Sequence, residues 1–209
     1  MPSMPGRIRA VLLVGPTGSG KSPVGMLLER RGGFRHFDFG AELRAAAAGE
    51  RDLSPEDAAY VRRLLDAHAL LPDERFDLAQ RLLEGFLERV AFDPRREMLV
   101  LNGLPRHAGQ ARAIARLVRV ELVVVLECGP AAAGARVARR SRGEGLDHAG
   151  RDDDTPEAVA RKLALFATET PQLLAHYRAQ PGVRIRRLRV HADTREEDLA
   201  AEVASAAVS

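Results

Sequence analysis

Hydrophobic and polar positions follow two distinct patterns along this chain. Short, continuously apolar runs are separated by longer stretches in which apolar residues recur every three or four positions. The first pattern is typical of buried strands and the second of amphipathic helices. Strands that alternate with helices predict a parallel sheet covered on both faces, which is an α/β fold in three layers. The predicted strands span residues 8–14, 34–39, 98–101, 122–126 and 183–190.

Local signals set the predicted helix boundaries. Ser54 and Pro55 form an N-cap followed by a favourable first helical position, and Pro171 predicts a kink within a long helix. Two additional helices, 54–70 and 73–90, depart from simple alternation between the second and third strands, so we expect a helical excursion at the carboxyl edge of the sheet, where such folds bind ligands. The predicted helices span residues 24–30, 41–48, 54–70, 73–90, 109–118, 130–142, 154–179 and 194–208.

The composition is that of one compact globular domain. The chain has 209 residues, and its 45% share of hydrophobic residues is enough to build a core. Cys128 is the only cysteine, which excludes an internal disulfide and a cysteine-based zinc site. No apolar run approaches the length of a bilayer span. We therefore expect a cytoplasmic monomer that does not contact a membrane.

The net charge of +3 raises the question of a nucleic-acid partner. Many of the arginines alternate with acidic residues along predicted helices, which is typical of a solvated face, and there is no basic tail. Aromatic residues make up only 4% of the chain, too few for a platform on which bases stack. Anionic small molecules explain the arginines at least as well, so we expect no nucleic-acid partner.

One stretch carries a specific chemical signal. Gly15-Pro16-Thr17-Gly18-Ser19-Gly20-Lys21-Ser22 matches the phosphate-binding loop pattern at every fixed position. It follows a predicted strand and opens a predicted helix, which is the context that the motif requires. Backbone N–H groups in such a loop surround an anion, while Lys21 adds a charge for the terminal phosphates and the Ser22 hydroxyl is a ligand for Mg²⁺. The sequence therefore predicts binding of a nucleoside triphosphate.

Four further stretches contain candidates for the chemistry at that triphosphate. Arg44 lies in the first turns of the helix after the second strand, and the turn Asn102-Gly103-Leu104-Pro105-Arg106 follows the third strand, with Gln110 four residues on. Both positions fall at the ligand edge of the sheet. For Arg44 alone, a solvated surface position is as good an explanation, and the turn also has a purely structural alternative.

The other two stretches flank a polar, glycine-rich segment. Arg136, Arg139, Arg140 and Arg142 share one helix face, and such a row is repulsive unless an anion lies opposite. The run from Arg151 to Asp154 closes the segment, and its acids also suit an ordinary helix N-terminus. The segment between them has no hydrophobic periodicity and is interpreted as a mobile loop, and phosphoryl transfer usually requires a closing element that excludes water.

The order of these stretches resembles the adenylate kinase group of nucleoside monophosphate kinases over nearly the whole chain. A phosphate loop is common to many families, whereas the Gly-x-Pro-Arg turn with its glutamine is more specific. The matching residues are Gly15 to Ser22, Gly40, Leu43-Arg44, Leu71-Pro72-Asp73-Glu74, Gly103, Pro105-Arg106, Gln110, Val125-Leu126-Glu127, Arg142-Gly143-Glu144, Arg151 and Asp153-Asp154.

The resemblance implies a fold, two ligands and a domain plan. ATP with Mg²⁺ is the implied cofactor, and the γ-phosphoryl group is passed to a nucleoside monophosphate, by default AMP. The implied plan is a single P-loop kinase domain with a helical acceptor-binding excursion and a short lid that lacks a zinc-bearing insert. Its core covers residues 1–40, 92–141 and 152–209, the excursion about 41–91 and the lid about 142–151.

The resemblance also implies roles for individual residues. The phosphate loop and Arg136 bind ATP, and Arg44 and Arg106 grip the acceptor's phosphate. Gln110 and the backbone near Leu71 contact the acceptor base. Asp153 and Asp154 help to hold the closed lid. Residues implied in catalysis are Lys21, Arg106, Arg136, Arg140 and Arg151, and the acceptor site adds Phe39, Gly40, Gly103 and Lys162.

Three positions depart from the family pattern. Asn102 replaces an aspartate that anchors the Mg²⁺ shell through water, so metal holding is weakened or falls to other groups. In the family's Ser-Thr-Gly-Asp stretch this chain has Asp38-Phe39-Gly40-Ala41, and Phe39 therefore alters the base pocket. Lys162 replaces an arginine, which exchanges a bidentate fork for a point charge. Two alternatives thus stay open: a kinase for another small-molecule acceptor, and an ATP-binding module with little catalysis.

Overall fold

The computed structural model describes residues 7–146 and 155–208. Its centre is a five-stranded sheet in the order β2-β3-β1-β4-β5, with every neighbouring pair parallel. The predicted α/β fold with a five-stranded parallel sheet is therefore confirmed. The strands are β1 (Ile8–Val14), β2 (Phe34–Asp38), β3 (Met98–Asn102), β4 (Val118–Cys128) and β5 (Arg184–Val190).

Helices cover both faces of the sheet. Apolar side chains of β1 alternate between two clusters: Leu12 packs with helices of the excursion, and Leu13 packs with the first and last helices. A short 3₁₀ turn spans Asp73–Arg75. The α-helices are α1 (Lys21–Arg31), α2 (Phe39–Ala47), α3 (Pro55–Asp66), α4 (Phe76–Arg89), α5 (Ala108–Ile114), α6 (Pro130–Ser141), α7 (Pro156–Arg178) and α8 (Glu196–Val208).

Several boundaries differ from the predicted ones, among them the end of α5 at Ile114 rather than residue 118, and two of the differences have a clear physical reason. β4 begins at Val118, whereas the sequence predicts residue 122. The charged residues Arg119 and Glu121 interrupt the apolar run, and in the structure they form an ion pair at the surface of the strand. α2 begins at Phe39, because the carboxylate of Asp38 accepts the backbone N–H of Ala41 at 3.0 Å and caps the helix.

A buried carboxylate joins the helices between β2 and β3. Glu42 on α2 is 6% exposed and pairs with Arg51 at 2.6 Å and with Arg89 of α4 at 2.7 Å. Arg89 therefore ties α4 to α2.

Among helices in the described ranges, none combines the length and hydrophobicity that crossing a membrane demands. The division into core, excursion and lid stays a prediction.

Candidate active site

The phosphate loop joins the end of β1 to the start of α1 at the middle of the sheet. Gly18 and Gly20 have φ angles of 79° and 91°, which lie in the left-handed region that favours glycine. These angles give the loop its tight curvature. The Ser19 hydroxyl donates to the Pro16 carbonyl at 2.8 Å. The Lys21 ammonium donates to the carbonyls of Gly15 at 2.7 Å and Pro16 at 2.8 Å, so the loop folds around its own lysine.

One cavity brings most of the predicted site residues together. It opens at the carboxyl edge of the sheet, between the phosphate loop and the helices of the excursion, and α7 closes another side. It therefore has room for ligands beside the loop. The predicted residues that line it are Gly15, Pro16, Thr17, Gly18, Gly20, Lys21, Ser22, Phe39, Gly40, Arg44, Leu71, Asn102, Gly103, Arg106, Gln110, Arg140 and Lys162.

Two arginines face this cavity, Arg44 from the excursion and Arg106 from the turn after β3. Arg44 lies on α2, and its Nη1 is 3.4 Å from where a Cβ on Gly40 would lie, so the guanidinium rests over the first turn. Arg106 follows a turn in which Gly103 has a φ of 81°. Within the described residues, neither guanidinium has a hydrogen-bond or ion-pair partner. Burial lowers the pKa of Arg106, which is the effect of removing a cation from water without an anion nearby.

Gln110 fixes the turn that carries Arg106. Its Oε1 accepts the backbone N–H of Arg106 at 2.8 Å, and its Nε2 donates to the Leu71 carbonyl at 2.9 Å. Gln110 is 1% exposed, so both ends of its amide bind protein groups. His107 lies beside the same contact, 3.5 Å from a carboxylate oxygen of Asp73. The structure thus gives Gln110 and Leu71 a mutual contact that the sequence did not suggest.

Phe39 lies at the edge of the cavity with most of its side chain in the core. It is 4% exposed, and the centroid of its ring lies 6.1 Å from that of the Phe37 ring. Gly103 is its neighbour at the wall, since a Cβ there would lie 3.7 Å from the Phe39 Cβ, at ordinary van der Waals distance. Phe39 therefore shapes the wall of the cavity chiefly by filling the space behind it.

Ser22, Asp38 and Asn102 form a polar cluster at the ends of three elements. The Ser22 hydroxyl donates to Asp38 Oδ2 at 2.6 Å, and Asn102 Nδ2 donates to the same oxygen at 2.8 Å. Asn102 Nδ2 also lies 3.0 Å from Ser22 Oγ. This hydroxyl and carboxylate are hard oxygen donors of the kind that Mg²⁺ takes together with substrate phosphates, so the cluster fits that ion. Asp38 is the member that sequence reasoning missed.

The predicted arginine row on α6 is largely paired within the chain. Arg136 is 7% exposed, and its guanidinium donates to the Gly18 carbonyl, the Thr194 carbonyl and the Glu196 carboxylate. Glu196 begins α8, so Arg136 ties the phosphate loop to that helix. Sequence reasoning missed Glu196, because 60 residues separate it from Arg136.

The remaining arginines lie toward the predicted lid. Arg139 and Arg142 pair with Glu144 at 3.3 Å and 2.8 Å, which supplies the anion that the row requires. Arg140 lines the main cavity. Arg151, Asp153 and Asp154 lie outside the described residues, and so does part of the predicted lid.

The fold and the phosphate loop define a P-loop protein of the α/β class. Comparison with known sequences identifies the family within that class. A model of the AAA domain family matches residues 14–160. Adenylate kinase from Mycobacterium sp. (strain MCS) is 30% identical over 173 residues, which cover 81% of this chain and 86% of the relative. Adenylate kinase from Thermus thermophilus is 30% identical over 177 residues, which cover 82% of this chain and 84% of the relative. The chain belongs to the adenylate kinase-like family of P-loop kinases.

Proposed function

We propose that this protein transfers the γ-phosphoryl group of MgATP to a nucleoside monophosphate, with AMP as the default acceptor. The observation that carries the proposal is the position of Arg44 and Arg106. Both guanidinium groups face the cavity that begins at the phosphate loop, and within the described residues both lack an anionic partner. Two arginines in such a position suit the phosphate of a second ligand, since guanidinium groups bind phosphate oxygens in a bidentate manner. The relatives named above are called adenylate kinases, which agrees with this acceptor.

The proposed chemistry is electrostatic and positional. The phosphate loop and Lys21 hold the ATP phosphates, and Arg44 with Arg106 holds the acceptor's phosphate on the other side of the cavity. Mg²⁺, when bound, neutralises charge on the terminal phosphates, and Ser22 is its direct protein ligand in this proposal. No covalent intermediate is needed, because transfer of a phosphoryl group between two aligned anions depends on alignment and charge neutralisation.

Further residues are assigned by proposal alone. Arg140 and Lys162 line the cavity and are proposed to approach the transferred group and the acceptor. Arg151 is proposed to join them when the lid closes, with Asp153 and Asp154 holding the closed state. Arg136 is proposed to act on the ATP side, where its contact with the Gly18 carbonyl supports the phosphate loop. A cytoplasmic monomer is the proposed state of the protein.

A coupled assay that detects ADP release tests the proposal directly. AMP, GMP, CMP, UMP and dTMP are each offered with MgATP, and one of them is expected to give turnover well above the ATPase background. Lys21→Ala is expected to keep the fold, seen by circular dichroism, and to lose roughly 100-fold or more in kcat. Flat results with all five acceptors would refute the nucleoside monophosphate assignment.

A second candidate is a P-loop kinase that acts on another small hydroxyl or phosphate compound. Phe39 favours it, because its large side chain fills the space behind the cavity wall beside Gly103 and so changes the shape of that wall. A thermal-shift screen with sugars, sugar phosphates and cofactor precursors separates the two candidates. Stabilisation by one of these compounds in the presence of an ATP analogue, without any by the five monophosphates, would favour the second.

A further inference from the structure

The ends of β2 and β3 place an acidic and an amide side chain next to each other. Asp38 and Asn102 are directly paired across these two parallel strands, and Asn102 is in turn paired with Leu13 near the end of β1. The pair therefore lies beside the phosphate loop, at the point where the triphosphate of the proposed function would bind. The neutral residue lies on the strand next to β1, and the carboxylate lies one strand further out.

The hydrogen bonds bring the carboxylate back to the phosphate loop. Asp38 Oδ1 accepts the backbone N–H of Ala41 and caps α2, which leaves Oδ2 facing the other way. Oδ2 accepts the hydroxyl hydrogen of Ser22 at 2.6 Å and an amide hydrogen of Asn102 at 2.8 Å. Asn102 therefore holds the carboxylate in place, and its amide nitrogen is turned toward both oxygens.

This arrangement divides two tasks between the two residues. An amide N–H carries a partial positive charge and repels a cation, so Asn102 in this orientation is a poor group to face Mg²⁺. The carboxylate of Asp38 carries the negative charge that attracts the cation. Because Asp38 accepts the hydroxyl hydrogen of Ser22, a lone pair of the Ser22 oxygen points away from Asp38. We infer that Asp38 is the carboxylate that holds Mg²⁺ beside the nucleotide phosphates, with Asn102 as its positioning residue.

The inference rests on the proposed function only in that a nucleotide must bind at the phosphate loop. It does not depend on which acceptor the enzyme uses or on any turnover. Its test is therefore metal binding in the absence of acceptor. Failure to bind any nucleotide would count against the proposed function, whereas nucleotide binding with an unaltered metal affinity would count against Asp38 alone.

Asp38→Asn is the informative variant because asparagine caps helices as well as aspartate does and differs little in volume. Mn²⁺ is used as the probe, with its free concentration measured by electron paramagnetic resonance in the presence of saturating ADP or a non-hydrolysable ATP analogue. We expect Asp38→Asn to weaken Mn²⁺ binding to the complex about 10–100-fold. The affinity for metal-free nucleotide is measured by calorimetry in EDTA. The Asp38→Asn variant is expected to bind it at least as tightly as the parent protein does, because the substitution removes a negative charge near the phosphates.

Two controls separate this role from a structural one. Glu127→Gln removes a carboxylate at the end of β4 that pairs with Arg187, and it is expected to leave Mn²⁺ affinity unchanged. The exchange Asp38→Asn with Asn102→Asp returns one carboxylate to the cluster on the neighbouring strand and is expected to recover much of the Mn²⁺ affinity. Equal Mn²⁺ affinity in Asp38→Asn and the parent protein would overturn the inference. So would a parallel loss of metal-free nucleotide binding, since a merely structural role predicts that result.

Discussion

The side-chain amide of Gln110 donates to the carbonyl oxygen of Leu71 at 2.9 Å, across 39 residues of chain. Its other end accepts the backbone N–H of Arg106. One buried side chain thus ties the segment before α4 to the turn that aims Arg106 into the cavity. Gln110 therefore fixes the position of Arg106.

Gln110→Leu tests this positioning role. The substitution leaves the Leu71 carbonyl and the Arg106 N–H without their partner, and we expect the free energy of unfolding to fall by about 1–3 kcal/mol. The KM for the acceptor is expected to rise while the KM for ATP stays the same. Steady-state kinetics with each substrate varied in turn, together with urea unfolding, give both values. Gln80→Leu, at a more exposed position on α4, serves as the control, and an equal rise in both KM values would contradict the role.

Replacing Arg44 and Arg106 one at a time tests whether they hold the acceptor's phosphate. Lysine keeps the charge but loses the planar fork, so Arg106→Lys is expected to raise the KM for the acceptor about tenfold or more, and Arg106→Ala further. The same order is expected at Arg44. Burial lowers the pKa of Arg106, which shows that the folded protein disfavours this cation, so removing it is expected not to destabilise the ligand-free protein. Arg116→Ala, at an exposed position, should change neither KM, and an altered KM for ATP alone would refute the assignment.

The architecture was predictable because its signals are local. The apolar run of β1 and the glycine-rich loop after it define a strand, a turn and the start of α1 within one short stretch of chain. Arg44 and Arg106 were predictable for the same reason, since each closely follows a strand at the ligand edge. Most of the candidate site could thus be named before its geometry was known.

The missed residues depend on contacts that a linear pattern does not contain. The role of Asp38 follows from the register of β2 against β3, which pairs it with Asn102. The contact between Arg136 and Glu196 requires α6 and α8 to meet at the phosphate loop. Burial of Arg136 was equally hidden, because in the sequence it looks like any member of a basic helix face.

The ion pair of Arg136 and Glu196 predicts an asymmetric response to mutation. The Arg136 side chain is 6% exposed and that of Glu196 is 32% exposed. Glu196→Ala leaves a buried cation without its anion, which is expected to cost about 3 kcal/mol or more of unfolding free energy. Arg136→Met removes the buried cation together with its hydrogen bonds to the Gly18 and Thr194 carbonyls, and it leaves a carboxylate that water can reach, so a smaller loss is expected because no charge stays buried without a partner. Urea unfolding of both variants measures the difference, and a larger loss for Arg136→Met would contradict it.

Stability at acid pH is expected to depend on Asp57, which joins α3 to α4. Desolvation raises the pKa of this carboxyl, but hydrogen bonds with Arg81, Ser54 and Arg75 outweigh it, and the net pKa is lowered. A carboxyl with a lower pKa in the folded state stabilises the protein above its unfolded pKa of about 4, and this contribution disappears as pH falls through the folded value. Asp57→Asn is therefore expected to destabilise by about 1 kcal/mol at pH 7, since its partners are partly exposed. Urea unfolding near pH 3 should show a much smaller difference, and a constant one would refute the expectation.

Gly25 on α1 has a packing reason to be glycine. A Cβ at this position would overlap the imidazole ring of His36 on β2, at a separation that side chains do not tolerate. Gly25→Ala is therefore expected to destabilise by about 1–3 kcal/mol, although alanine is the better helix former. In a His36→Ala background the clash is gone, and the same substitution is expected to become neutral or stabilising by up to about 1 kcal/mol. Urea unfolding of the four proteins in this double-mutant cycle measures the coupling, and additive effects would show that His36 is not what excludes a side chain here.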